Sequence, residues 1–257
     1  LLVGTSRLPL RKAQRVELFL TATTKGLRIY AATPRLRGLL ALEAAVAAAG
    51  AMVYVNTVVL VEVRLALGAP QVALAFAAFG AGSILAALLL PRLLHRLADR
   101  PLMLTGAALM LAAVAAVPLA VTLPALMALW ALAGFGFSLT QTPIGRILTR
   151  SATDPDRPAL FAAQFALSHA CWLVSYPLAG WLGATLGLSP VALVLAALGA
   201  LALALTRHLW PAQDPETLPH AHPNLPPDHP HLAQHRAPHA HAFVIDDLHR
   251  AWPKPAG

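Results

Sequence analysis

An all-α integral membrane fold with six spanning helices is predicted by three features of this sequence. Its apolar segments reach about 20 residues, the length that crosses a bilayer as a helix. Charged residues make up 12% of the chain, against about 25% in an ordinary soluble domain. Those charges gather in short clusters between the apolar segments, as expected where lipid cannot solvate charge.

The spans fall at 39–63, 72–90, 102–123, 125–148, 159–182 and 190–206. They are dominated by Ala and Leu, good helix formers, and lack the alternating polarity of strands. A transmembrane barrel would need alternating segments of about ten residues, which this chain does not contain.

Charge sets the expected topology. The opening segment is rich in Arg and Lys, the loop after the first span has little charge, and the next carries Arg92, Arg96 and Arg100. The loop near Pro124 is uncharged, and the one after it holds Arg146, Arg150 and Arg157. The positive-inside rule then puts the basic loops and both chain ends in the cytoplasm, in a multi-pass protein of the inner (cytoplasmic) membrane. Net charge is +8, but its placement at span ends argues for topology rather than for a nucleic-acid partner. The single cysteine, Cys171, excludes an intrachain disulfide.

Three regions are expected: the end of a preceding helix and a basic linker over 1–37, a transmembrane domain over 38–208, and a Pro/His-rich tail over 209–257. Residues 1–4 read as the end of an earlier membrane helix, so the chain is expected to be a fragment lacking an N-terminal half. Residues 26–36 read either as a short amphipathic helix or elbow, or as a linker entering the first span. The tail is expected to be disordered, except for 242–252, which has enough apolar residues for a short docking helix.

The loop over 91–101 carries Arg96, Ala98 and Arg100 at the spacing of a basic turn between two helices. It resembles the signature loop of the major facilitator superfamily, with Pro91, His95 and Pro101 replacing the family's Gly, Asp and last basic residue. The resemblance covers about residues 1–210. It implies one half of a major facilitator bundle, helices seven to twelve, behind the long basic linker that joins the halves of such transporters. It further implies rocking of the halves around a central site. Arg96, Asp99 and Arg100 are then expected to act as a conformational loop, with Arg146 as an anchor or a partner for Asp99.

Polar side chains at mid-membrane should avoid lipid and face a cavity or a neighbouring helix. In the first span these are Glu43, which either carries a proton or snorkels to the interface, and Asn56, which either lines the cavity or bonds between helices. In the fourth, Gln141 lies beside the kink expected at Pro143, and Gly134 and Gly136 permit close packing. In the fifth, Gln164, Ser168, Cys171 and Ser175 form one stripe, and His169, Trp172 and Tyr176 a neighbouring one. Substrate contact is expected from Asn56, Gln141, Gln164, Ser168, His169, Trp172 and Tyr176, and proton coupling from Glu43 and His169.

In the tail, His220 and His222, His229 and His231, and His239 and His241 form His-x-His pairs. Imidazole suits Ni, Co and Zn, so weak multivalent binding of these ions is one reading and a solvated low-complexity tail the other. No other cofactor is expected. The sequence has no Walker motif and no convergent catalytic set, so an enzyme or ATP-driven pump is not expected. The leading reading is a proton-coupled secondary exporter of a small solute. The alternatives are a nickel or cobalt exporter using the tail, and a membrane-anchored metal-binding protein.

Overall fold

Thr33-Pro34 marks the first break in the chain. A residue before proline is driven to extended backbone, and Thr33 adopts φ −97°, ψ 115°. Helix α1 (Phe19–Ala32) therefore stops there, and α2 (Pro34–Val59) starts with proline in its first turn, where no N–H is needed. The computed structural model describes residues 19–220, 226 and 239–253. The segment over 26–36 is helical to Ala32, breaks at Thr33 and enters α2, the form of an elbow. Gly26 lets α1 lie directly against the carbonyl of Ala159, which a side chain would block.

The remaining α-helices are α3 (Ala69–Leu94), α4 (Asp99–Ala115), α5 (Leu123–Gln141), the short α6 (Ile144–Thr149), α7 (Arg157–Leu186) and α8 (Leu188–Leu209). Six segments are long and apolar enough to span a membrane: Pro34–Arg64, Ala69–Leu94, Asp99–Leu119, Leu123–Thr149, Arg157–Leu186 and Leu188–Leu209. The expected all-α membrane bundle is what the chain forms. Helix α2 continues as a π-helical turn, Leu60–Arg64, whose Arg64 guanidinium donates to the carbonyls of Val117 (3.3 Å) and Pro118 (2.8 Å). Pro143 divides α5 from α6.

The span built on helix α2 is the most buried of the six. Leu39, Ala45, Ala49, Met52 and Val53 have no exposed surface to speak of. Helices α3, α7 and α8 instead expose Leu88, Leu173, Val174 and Leu201, each about 70% accessible, the surface that lipid solvates. Helices α3 and α5 meet backbone to backbone. Gly82 faces the carbonyl of Ala131, Gly134 faces that of Phe79, and a Cβ at either position would overlap the opposing chain. Gly136 meets Gly106 of α4 in the same way.

The basic end of the bundle carries α1, the α3–α4 turn, α6 and the chain after α8. There Trp210 is fully buried, β1 (Thr217–His220) pairs antiparallel with β2 (His239–Ala242), and Phe243 and Ile245 are buried beyond it. The stretch 242–252 docks, but not as the expected helix. The Asp246 carboxylate accepts the backbone N–H groups of Leu248 (2.8 Å) and His249 (2.7 Å), closing a local turn that competes with helix. Asp247 pairs with Arg28 of α1 at 3.2 Å, and Trp252 lies 5.2 Å from the Arg35 guanidinium, a cation–π distance.

Candidate functional site: a buried carboxylate below an aromatic wall

Glu43 lies about three turns into α2, on the side facing α5 and α7, and is 2% exposed. Gln141, the last residue of α5 before the Pro143 break, donates from Nε2 to both carboxylate oxygens, at 3.3 and 3.4 Å. Gln164, two turns into α7, donates from Nε2 to the same carboxylate at 3.4 Å. Its Oε1 accepts the Tyr30 hydroxyl of α1 at 2.5 Å. Burial, with the Glu43 carboxylate nearby, pushes the Tyr30 phenol up, so the group stays a donor. No ion pair reaches Glu43 among the described residues. The acid points inward to amides rather than snorkelling out, and four helices converge on it.

Farther from the basic end, a string of rings crosses α2, α3, α5 and α7. Tyr54 meets Phe79 at 5.6 Å and Trp172 at 5.8 Å, edge to face; Phe79 meets Phe137 at 5.7 Å, and Trp172 meets Tyr176 at 5.3 Å. Gly50 makes room for the Trp172 indole, whose outer edge would collide with any Cβ there. Tyr54 and Tyr176 are 39% and 40% exposed, so the wall is open on one side. At 1.5 Å per helical residue, Tyr54 lies about 16 Å beyond Glu43 along α2, and Trp172 about 12 Å beyond Gln164 along α7.

The sequence-derived residues divide accordingly. Gln141 and Gln164 belong to the Glu43 cluster, and Trp172 and Tyr176 to the wall. Asn56 is placed otherwise: 3% exposed, it donates to the Ala179 carbonyl at 3.5 Å and fills the space beside Gly183, so it joins α2 to α7 instead of facing a cavity. Ser168 donates to the Phe165 carbonyl in its own helix at 3.1 Å. His169 stacks on Phe165 with centroids 3.9 Å apart and bonds the same carbonyl at 2.7 Å. It sits exposed beside a shallow hollow of about 460 Å³ shared with Trp172 and Tyr176. No hydrogen bond or ion pair joins His169 to Glu43 among the described residues. Tyr54, Phe79 and Phe137 were not singled out by sequence. A tyrosine in the middle of a span, away from the interfacial belt, was the available signal for Tyr54.

Asp99, the first residue of α4, accepts from Arg146 Nη2 at 2.6 Å, joining the α3–α4 turn to α6. Arg100 donates to the carbonyls of Arg207 (3.2 Å) and Trp210 (2.8 Å), capping the end of α8. Arg96 is exposed, and its guanidinium makes no hydrogen bond or ion pair among the described residues. Of the tail histidines, His222, His229 and His231 lie outside the described residues, and His220 and His239 are backbone partners in the β1–β2 ladder. The His241 ring lies 5.3 Å from that of His249. No group of three or more His, Cys, Asp or Glu suited to a metal ion occurs among the described residues.

The family model of the Major Facilitator Superfamily matches residues 40–245. The chain belongs to the major facilitator superfamily. Members of the superfamily are transporters rather than enzymes, and this one is a multi-pass membrane protein whose partners include the bilayer and a small-molecule substrate. No curated protein and no solved structure matches it. In this superfamily member, the loop that resembles the signature is the one that holds Asp99 against Arg146.

Proposed function

We propose that this chain is the C-terminal six-helix half of a proton-coupled exporter of a small organic solute, set in the inner membrane with its basic end in the cytoplasm. The observation that carries the reading is Glu43: a carboxylate at membrane depth, held by two amides and no cation, at the meeting of α1, α2, α5 and α7. Such a group can take up and release a proton without breaking an ion pair, and proton relays in membranes are built from acids of this kind. The aromatic wall supplies the solute contact. Tyr54, Phe79, Phe137, Trp172 and Tyr176 offer ring faces and edges, with no paired carboxylates for a divalent ion and no arginine for a phosphate.

Cytoplasmic placement of the basic end follows from the positive-inside rule, and outward transport from the expected antiport with protons. A second six-helix half would complete the cavity on the open side of the wall.

The test uses the full-length parent transporter in proteoliposomes with an imposed pH gradient, following a fluorescent planar organic dye beside nickel, cobalt and zinc. Dye flux that collapses with the gradient supports the reading. Metal flux without dye flux, lost on removing residues after Trp210, overturns the organic substrate and favours the metal alternative.

A further inference from the structure

A groove of about 860 Å³ runs between α1, α2, α7 and α8, bordered by Tyr30 of the Glu43 cluster and by Ala170, which also lines the hollow at Trp172 and Tyr176. Its lining is apolar along the membrane-facing length, through Leu40, Ala44, Leu167, Ala170, Val174 and Leu205. Val174 is 68% exposed and Leu205 49%. The walls on α2 and α7 extend over residues 37–44 and 167–175, about 10 to 12 Å at 1.5 Å per residue. That is most of one leaflet of a hydrocarbon core about 30 Å thick. Arg37 is the one charged residue in the lining; it is exposed, and its guanidinium makes no hydrogen bond or ion pair among the described residues. It stands at the basic end of the groove, where the charged face of a leaflet would lie. His208, exposed in the last turn of α8, shares the helical face of Leu205 and Leu209, which also line the groove.

We infer that this groove is a binding site for a single anionic phospholipid, with an acyl chain between α7 and α8 and the head-group phosphate on Arg37. Three observations select this occupant. The groove ends within one leaflet, which fits an acyl chain and not a spanning helix. Along its length the only polar side chains are those of Tyr30, Cys171 and Ser175, too few to orient a peptide or sugar. Its one cation sits at the interfacial mouth, where basic pockets between membrane helices hold lipid head groups. In a bilayer, an opening of this size lined by Leu, Val and Ala is filled by hydrocarbon, because an empty one forfeits its dispersion contacts.

The test places the whole chain in nanodiscs of equal phosphatidylglycerol and phosphatidylcholine, extracts it gently, and weighs the retained lipid by native mass spectrometry. Wild type should retain phosphatidylglycerol about fivefold over phosphatidylcholine, the ratio given by ~1 kcal/mol for one basic residue at an anionic surface. Arg37→Gln should bring that ratio to parity. Ala170→Trp, which fills the groove from an exposed position, should release both lipids. The unaltered chain gives an independent reading through Cys171, which lines the groove. Its alkylation by a maleimide should slow when phosphatidylglycerol is added in detergent and not when phosphatidylcholine is added. Equal retention of the two lipids by wild type, or Cys171 alkylation indifferent to phosphatidylglycerol, overturns the proposal.

Discussion

The side-chain amide of Gln164 donates to the Glu43 carboxylate at 3.4 Å, across the contact of α7 with α2. Since the same amide accepts the Tyr30 hydroxyl, a change of charge on Glu43 is felt on α1 through one residue. Glu43→Gln keeps the size and the hydrogen-bonding shape and removes the titrating group. In the full-length parent it should lower gradient-driven dye flux by roughly tenfold or more, about 1.4 kcal/mol or more in barrier terms. Dye exchange at equal pH on both sides should persist. Loss of both would place Glu43 in the structural frame instead of the coupling step.

The aromatic wall predicts a selective defect. Trp172→Ala should raise the KM for a planar aromatic dye about tenfold, in line with ~0.5–1.5 kcal/mol for each aromatic pair lost. Tyr54→Phe, which retains both ring contacts, should change it little. Asn56→Ala, by contrast, should act on the thermal stability of the α2–α7 contact and leave dye affinity alone. A fluorescence-quenching titration beside a thermal-shift assay separates the two.

Arg35 is 1% exposed and meets Asp214 at 3.3 Å, while Arg150 reaches the other oxygen of that carboxylate at 2.7 Å. Asp214→Asn leaves the Arg35 charge buried without its partner and should cost about 3 kcal/mol, as breaking a buried pair does. Adding Arg35→Met should recover most of that loss. Cutting the chain after Trp210 should destabilise in the manner of Asp214→Asn, whereas cutting after Glu216 should be milder. Calorimetry or a dye-based melt in detergent provides the measurement.

The Asp99–Arg146 pair is half open to solvent, with the Arg146 side chain 55% exposed. Its contribution to stability should stay within about 1 kcal/mol. Asp99→Asn and Arg146→Gln should therefore melt like wild type yet alter the alternation of the parent transporter, seen as a changed reactivity of cysteines placed at the basic end. The charge-swapped double variant should restore the wild-type pattern. If the single variants leave reactivity unchanged, the pair is an anchor only.

The six spans were legible because apolar length and sparse charge are properties of contiguous sequence, which a single chain reveals directly. Glu43, Gln141 and Gln164 were legible as types, since polar side chains stand out in apolar runs. Their convergence was not, because it depends on the rotation of α2, α5 and α7 about their axes. Asn56 shows the limit from the other side. Its depth suited a cavity, but Gly183 on the opposite helix gives it a packing slot that no local pattern reports. The rings of Phe79 and Phe137 looked like ordinary span filler until four helices brought them to one face. The tail's turn at Asp246 was missed because the apolar spacing over 242–252 also suits a helix, and the side-chain capping that defeats it is a local competition.

The paired glycine contacts of α3 and α5 have a mechanical consequence. Two helices keyed together at Gly82 and Gly134, carbonyl against Cα, have no side-chain cushion through which to slide or roll. They behave as one stiff beam. Helix α2 meets α7 through deformable groups, the Asn56 amide and the Trp172 indole. Bending that opens or closes the bundle should then fall at the α2–α7 seam and not between α3 and α5. A pair of distance probes across that seam would register the working stroke, while a pair across α3 and α5 would serve as its fixed ruler.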